Sequence, residues 1–95
     1  MNAVRGEVNL ALDGKQRRLC LTLGALAEME TAFACGRIGE LEARLRQASA
    51  ADLKIVLGAL LRGGGETVTD AQIERASPGA ATAAIAEAFR RGLEA

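Results

Sequence analysis

Several residue types that carry common protein chemistry are missing or scarce in this chain. Its 95 residues include no histidine, tryptophan or tyrosine. They include only two cysteines, two phenylalanines and one proline. Histidine is the usual metal ligand and general base, so its absence argues against a zinc site and against acid–base catalysis. Cys20 and Cys35 do not have C-x-x-C spacing, so we expect two unrelated reduced thiols.

Net charge and long apolar runs are lacking as well. Twelve basic residues balance twelve acidic ones, and a chain without a cationic excess is not expected to bind nucleic acid. No apolar run approaches the roughly 20 residues of a membrane-spanning helix, and the N-terminus lacks the apolar segment of a signal peptide. We therefore expect a cytoplasmic protein with neither a nucleic-acid nor a membrane partner.

The pattern of the remaining residues predicts a single domain, 1–95, of the α+β class. An N-terminal β-hairpin, 6–22, is expected to pack on a bundle of four to five short helices, 23–94. The hairpin follows from alternating apolar residues around Leu10 and from the turn signal Asp13-Gly14. The apolar residues are mostly alanine, leucine and valine, so the core should be thin.

Two hairpin registers are compatible with this pattern. A two-residue loop sets Leu10 opposite Arg17, whereas a four-residue loop, 13–16, sets Leu10 opposite Leu19. Because burial of apolar side chains usually fixes the register of a hairpin, we expect the four-residue loop.

Capping residues and apolar spacing predict where the helices lie. Thr22 is placed to cap the first helix, Ser49 and Thr69 have capping-box spacing, and Ser77-Pro78 is typical of a helix start. Gly36 is expected to end the first helix. The apolar face of that helix should hold Leu23, Leu26, Met29, Glu30 and Phe33. The third helix has the widest apolar face and should be the main core helix, with Leu53, Val56, Leu57, Leu60 and Leu61.

Two features that suggest chemistry have simpler interpretations. The triple glycine, 63–65, follows a helix and lacks the Gly-Lys-Ser/Thr ending of a phosphate loop, so we predict a flexible helix stop. Glu30 has no histidine, metal cluster or second carboxylate to act with, so a boundary carboxylate paired with an arginine is expected. No catalytic, cofactor-binding or metal-binding residue is predicted.

Four residues are predicted to lie on partner-binding surfaces: Ile55, Ala59, Ala11 and Cys20. Ile55 lies opposite the apolar face of the third helix, so either the C-terminal helix covers it or it contacts a partner. Ala11 and Cys20 are assigned to the outer face of the hairpin, beside an open strand edge that can pair with another chain. The open edge also permits a homo-oligomer. These features favour a binding protein over an enzyme.

Several segments, taken in order, resemble one protein family. They are Arg5-Gly6-Glu7-Val8, the "LDG" from Leu12, "LTLGALAEMETAF" from Leu21, "SAADL" from Ser49, "LLRGGG" from Leu60 and "VTDAQI" from Val68. Together they resemble the small tail protein of alphaproteobacterial gene transfer agents, a family grouped with phage tail assembly chaperones. The likeness covers most of the chain and weakens after Ser77.

The resemblance implies a non-enzymatic role, without a cofactor, in building the tail of a gene transfer agent or prophage. The protein is then expected in the bacterial cytoplasm, with tail association during assembly. It predicts a chaperone that binds the tape-measure protein and brings tail-tube protein to it. The alternative is a structural tail-tube component of the particle. One short hairpin is less than a continuous inter-subunit sheet would ordinarily need, so the chaperone is the first expectation.

Overall fold

The hairpin and the helices appear in the predicted order in a computed structural model, which describes residues 6–94. Within that range, strands β1 (Val8–Leu12) and β2 (Lys15–Leu19) form an antiparallel hairpin. Five helices follow: α1 (Leu23–Ala32), α2 (Ile38–Leu45), α3 (Ala50–Gly63), α4 (Asp70–Glu74) and α5 (Pro78–Glu94). The predicted α+β fold is confirmed. Arg5, where the family resemblance begins, and Ala95, where the predicted domain ends, lie outside the described range.

The hairpin register differs from the predicted one. Asp13 and Gly14 form a two-residue loop with φ values of 53° and 76°, as a type I′ turn requires. Leu10 therefore pairs with Arg17, and the expected pairing of Leu10 with Leu19 is wrong. The turn matches the twist of the strands, and this preference outweighs the gain from an apolar cross-strand pair.

An ion pair from a distant part of the chain makes this register tolerable. The Arg17 side chain is only 14% exposed, and its Nη1 donates to Glu66 Oε1 at 3.2 Å. Glu66 also accepts from Arg18 Nε at 3.1 Å and from the Arg18 backbone N–H at 3.2 Å. Glu66 lies 49 positions after Arg17, so the hairpin sequence alone gives no sign of this partner.

Helix α3 is the central element, as predicted. It packs against α1, β2, α4 and α5, and its predicted apolar face is buried apart from Leu53, which is half-buried. The predicted capping box is present: Asp52 N–H donates to Ser49 Oγ at 3.1 Å, and Ser49 N–H donates to the Asp52 carboxylate at 3.0 Å. Burial of each leucine on this face stabilises the folded state by about 1.5–3 kcal/mol relative to an exposed side chain.

The triple glycine ends α3 as predicted, but its first two residues are sites of close packing. A Cβ at Gly63 would lie 2.2 Å from the carbonyl oxygen of Cys20, and one at Gly64 would lie 2.2 Å from that of Arg18. Only hydrogen fits between the end of α3 and the hairpin. Gly65, with φ of 82°, then reverses the chain. Gly63 and Gly64 therefore allow two backbones to pack closely, which differs from the predicted role of a flexible stop.

The buried face of α1 is narrower than predicted. Ala25, Leu26 and Met29 are buried, whereas Leu23 is 84% exposed. At about 100° per residue, Leu23 lies about 110° from the centre of the buried face. The Thr22 cap is confirmed, since Thr22 Oγ1 accepts from the Ala25 N–H at 3.0 Å.

The C-terminal end of α1 also differs from the prediction. The helix ends at Ala32, and the left-handed residue after it is Ala34, with φ of 55°, and not Gly36. Cys35 N–H donates to the Glu30 carbonyl at 2.9 Å, and Ala34 N–H donates to that of Thr31 at 3.3 Å. These two bonds form a Schellman motif, which is usually built on glycine.

Candidate interaction surfaces

The four predicted partner-binding residues divide between the surface and the core. Ile55 is 40% exposed and Ala11 is exposed on the outer face of the hairpin, whereas Cys20 is 7% and Ala59 is 0% exposed. Cys20 is held inward because its N–H donates to the Leu60 carbonyl at 3.0 Å. Ala59 is inaccessible because it lies in a run of six consecutive buried residues of α3, 56–61. Only Ile55 and Ala11 are placed where a partner can reach them.

The buried Cys20 is also unsuited to chemistry. Burial, reinforced by the negative charge of Glu7, raises the pKa of the Cys20 thiol. A raised pKa keeps the thiol protonated at neutral pH, and the protonated form is a poor nucleophile. Cys20 therefore acts as a small apolar core residue.

Ile55 lies in a shallow hollow of about 270 Å³ between α3 and α4. Its apolar lining is completed by Gly58 and Ile73, and the charged residues Lys54, Arg62, Asp70 and Glu74 surround it. Two of these charged residues pair with each other across α3 and α4, where Lys54 Nζ donates to Glu74 Oε2 at 3.1 Å. Helix α4 thus flanks Ile55, and the C-terminal helix does not cover it.

A second concave surface lies where α2 and α5 diverge over α3. Helix α2 packs on α1, whereas α5 packs on α3 and the hairpin, so a groove of about 290 Å³ stays open between them. We call it the α2–α5 groove. Its lining comes from three helices and is mainly apolar, with Leu45, Leu53, Val56, Ile85, Ala86 and Phe89. The polar residues at the groove are Thr82, Glu42 and Arg46.

The solvent side of α1 forms a third surface, which we call the α1 outer face. It consists of Leu23, Gly24, Ala27 and Thr31, all exposed and uncharged. On α5, Gly92 packs directly on Leu21, and the next residue, Leu93, is 46% exposed. The apolar spacing does not predict the α1 outer face, because it places Leu23 in the core. The signal available was the low polarity of α1 on both sides.

The charged residues of the described chain mainly hold its elements together. Arg75 pairs with Asp13 at 2.8 Å, joining α4 to the hairpin turn, and Arg62 Nε donates to Glu28 at 3.1 Å, joining α3 to α1. The Arg75 hydrogen bond lowers the pKa of Asp13. Such shifts fix the charged form at neutral pH and are typical of structural ion pairs. The predicted pairing of Glu30 with an arginine is wrong: among residues 6–94 the ion-paired carboxylate of α1 is Glu28.

The described part of the chain shows no metal centre and no membrane span. Within residues 6–94, no three or more His, Cys, Asp or Glu side chains lie together so as to hold a metal ion. None of the helices described there is long and apolar enough to cross a membrane. The concave surfaces that remain are apolar with a charged border, as in sites that bind other proteins.

Comparison with known proteins gives one positive result. Residues 5–95 match the family described as "Phage tail tube protein, GTA-gp10". Searches of curated proteins and of solved structures found no match to the chain. The match confirms the resemblance to gene-transfer-agent tail proteins, while its description names a tube protein and not an assembly chaperone. This chain belongs to the phage tail tube protein, GTA-gp10, family.

Proposed function

We propose that this chain is a non-enzymatic structural component of a phage-like tail, most simply of the tail tube. The observation that carries the proposal is the family match, which extends over residues 5–95. A tail component works through contacts with other tail proteins, so its surface matters more than any pocket chemistry. The family description thus favours the alternative raised by the sequence over the first expectation of a chaperone.

The distribution of exposed apolar side chains is compatible with several separate contacts. Large apolar residues are exposed on four different helices: Leu23 on α1, Ile38 on α2, Ile55 on α3 and Leu93 on α5. Single exposed apolar residues are common on protein surfaces and do not by themselves identify a contact. Their positions are compatible with a subunit that meets several neighbours in an assembly.

A second candidate is the assembly chaperone that binds the tape-measure protein and aids tube assembly. The observation that favours it is the hairpin, whose two strands are five residues long. Five residues span about 17 Å, which gives few backbone hydrogen bonds for a sheet continued between subunits. An apolar hollow such as the one around Ile55, between α3 and α4, suits an amphipathic helix of a long partner.

Quantitative mass spectrometry of purified tail particles separates the two roles. A structural component is expected in particles in a fixed ratio to the other tail subunits, and its deletion should stop assembly. A chaperone is needed for assembly yet missing from the finished particle. If deletion leaves assembly intact and the protein is not in the particle, both candidates are wrong.

Co-expression with the tape-measure protein of the same gene cluster tests the second candidate directly. A chaperone should raise the soluble fraction of that protein, and Ile55→Asp should reduce the effect while leaving the circular dichroism spectrum unchanged. Ala71→Asp, at an exposed position of α4, is the control. Equal solubility of the tape-measure protein with and without this chain excludes the chaperone role.

A further inference from the structure

We infer that the α1 outer face of one copy docks into the α2–α5 groove of the next copy, forming a repeating head-to-tail contact. The inference rests on the proposed structural role, since a tube made from one small subunit needs a contact that repeats. Two different surfaces that bind each other generate rings when the rotation closes and filaments when it does not. The occupant we assign to the groove is therefore a second copy of this chain.

On the α1 outer face, one exposed leucine protrudes beyond neighbours that have small side chains or none. Leu23 is 84% exposed at the first position of α1. Beside it, Gly24 has no side chain, and a Cβ there would meet only Thr22 Oγ1, at 3.7 Å. Ala27, one turn further, is exposed and small. A partner surface can therefore close around Leu23 without meeting other large side chains.

The α2–α5 groove has the size and lining to accept such a side chain. Its volume is about 290 Å³, whereas a cavity left by removing a core leucine is about 150 Å³. Val56 and Ile85 are buried beneath it, and Leu53 is half-buried. On the α5 side of the groove, Thr82 and Ala86 lie one turn apart and have short side chains, so they leave the groove open. A helix can therefore approach the groove closely while Leu23 enters it.

The charges favour this pairing over contact between two α1 outer faces. Glu28 and Glu30 are the charged residues of α1, and both are acidic. Glu28 is paired with Arg62 of α3, so two α1 outer faces that met would bring together two Glu30 carboxylates with no cation between them, which is unfavourable. Arg46 at the groove, by contrast, has no ion-pair partner among residues 6–94, and neither does Glu30. Glu42 also borders the groove, one turn before Arg46 on α2.

The spacing along α1 fits a contact made at two points. Glu30 follows Leu23 by seven residues, which places it on the same side of the helix and about 10 Å away. With Leu23 in the groove, Glu30 reaches the border of the groove, where Arg46 is the complementary charge. This orientation directs Glu30 toward the Arg46 end and away from Glu42.

Sedimentation and light scattering of the purified chain test the contact. The average mass should rise with concentration up to about 1 mM, the range of a weak contact. Leu23→Asp and Ala86→Glu should each weaken self-association by about tenfold or more. Two variants serve as matched controls. Ile38→Asp also replaces an exposed apolar residue at the first position of a helix, here α2, and Ala83→Glu changes an exposed α5 position outside the groove. Both controls should behave like the unmodified chain.

An equimolar mixture of Leu23→Asp and Ala86→Glu gives the decisive result. Each variant keeps the surface that the other has lost, so the mixture should form 1:1 complexes and nothing larger. A monomeric wild-type chain at every concentration, or a mixture that stays monomeric, overturns the inference. So does a groove occupied by another tail protein while the chain itself stays monomeric. A monomeric chain that is present in particles would leave the proposed function standing and remove only this contact.

Discussion

Ala34 is a residue whose backbone and side chain are poorly matched. It adopts φ of 55° at the end of α1, where two hydrogen bonds close the Schellman motif. A left-handed conformation brings the Cβ of an L-residue close to the following carbonyl oxygen, at a cost of roughly 1–2 kcal/mol. Glycine avoids this cost but has a more flexible unfolded state, which offsets part of the gain.

Ala34→Gly is therefore expected to raise the free energy of unfolding by about 0.5–1 kcal/mol. The measurement is urea denaturation followed by circular dichroism. Ala32→Gly, two residues earlier in the last helical turn, is the control and should lower stability by up to about 1 kcal/mol. Opposite signs for two identical substitutions separate the backbone effect from simple loss of a methyl group.

Arg17 presents a different residue-scale problem, because one of its polar atoms is buried without a partner. Among residues 6–94, Arg17 Nε is the side-chain nitrogen or oxygen that is buried and makes no hydrogen bond. Arg17→Met keeps the apolar stem opposite Leu10 and leaves Glu66 bound to Arg18. We expect the free energy of unfolding in urea denaturation to stay the same or to rise by about 1 kcal/mol.

Glu66→Gln should instead lower the free energy of unfolding, by about 1–2 kcal/mol, because Arg17 then loses its charged partner. A large loss with Arg17→Met would show that the pair is strongly stabilising.

The elements themselves could be predicted from the sequence wherever the determinants are local. Thr22, Ser49 and Thr69 each bond to a backbone N–H within three residues, so the capping positions are readable from neighbouring residues. The Asp13-Gly14 turn that sets the hairpin register is local too, whereas the ion pair that makes Arg17 tolerable opposite Leu10 and the role of Gly63 depend on contacts with distant parts of the chain. No local pattern reports the Glu66 partner of Arg17 or the Cys20 carbonyl that touches Gly63.

The packing of α3 on the hairpin yields a prediction at the scale of elements. Gly64→Ala would place its Cβ 2.2 Å from the Arg18 carbonyl oxygen, and backbone atoms of β2 cannot move aside without disturbing the sheet. We expect a loss of about 3 kcal/mol in the free energy of unfolding. Gly39→Ala on α2 meets nothing within 4 Å and should be neutral or stabilising by up to about 1 kcal/mol. If Gly64→Ala is equally harmless, α3 and β2 are not in close contact in solution.

At the scale of the whole molecule, the candidate surfaces were less predictable than the fold. Ile55 could be found from sequence because it interrupts a helical pattern. The sequence pattern places Cys20 and Ala59 on the surface wrongly, since alanine and cysteine occur both in cores and on surfaces and their position depends on packing. The pattern places Leu23 in the core because a leucine beside an apolar helical face normally packs there. Its exposure becomes visible only once Leu26 and Met29 fix the orientation of α1.

The ion pairs that join the elements predict how the whole molecule responds to acid. Arginine hydrogen bonds lower the pKa values of Asp13, Asp52 and Glu66, and those from Arg90 and Arg91 lower the pKa of Glu87 to about 2. A carboxyl with a lower pKa in the folded state stabilises the fold at pH values above its unfolded pKa, near 4, and this stabilisation is lost as pH falls through the folded pKa. Histidine, which would titrate near neutrality, does not occur in the sequence.

The melting temperature should therefore be nearly constant from about pH 8 to pH 5 and should fall steadily below about pH 4. Differential scanning fluorimetry across this range at low salt gives the profile, and added salt should reduce its slope because exposed pairs such as Arg75–Asp13 are screened. Glu66→Gln should flatten the acid limb, since it removes one of the carboxyls whose protonation opposes folding. A marked transition between pH 6 and 7 would contradict this account, because no side chain with a shifted pKa identified in the fold titrates there.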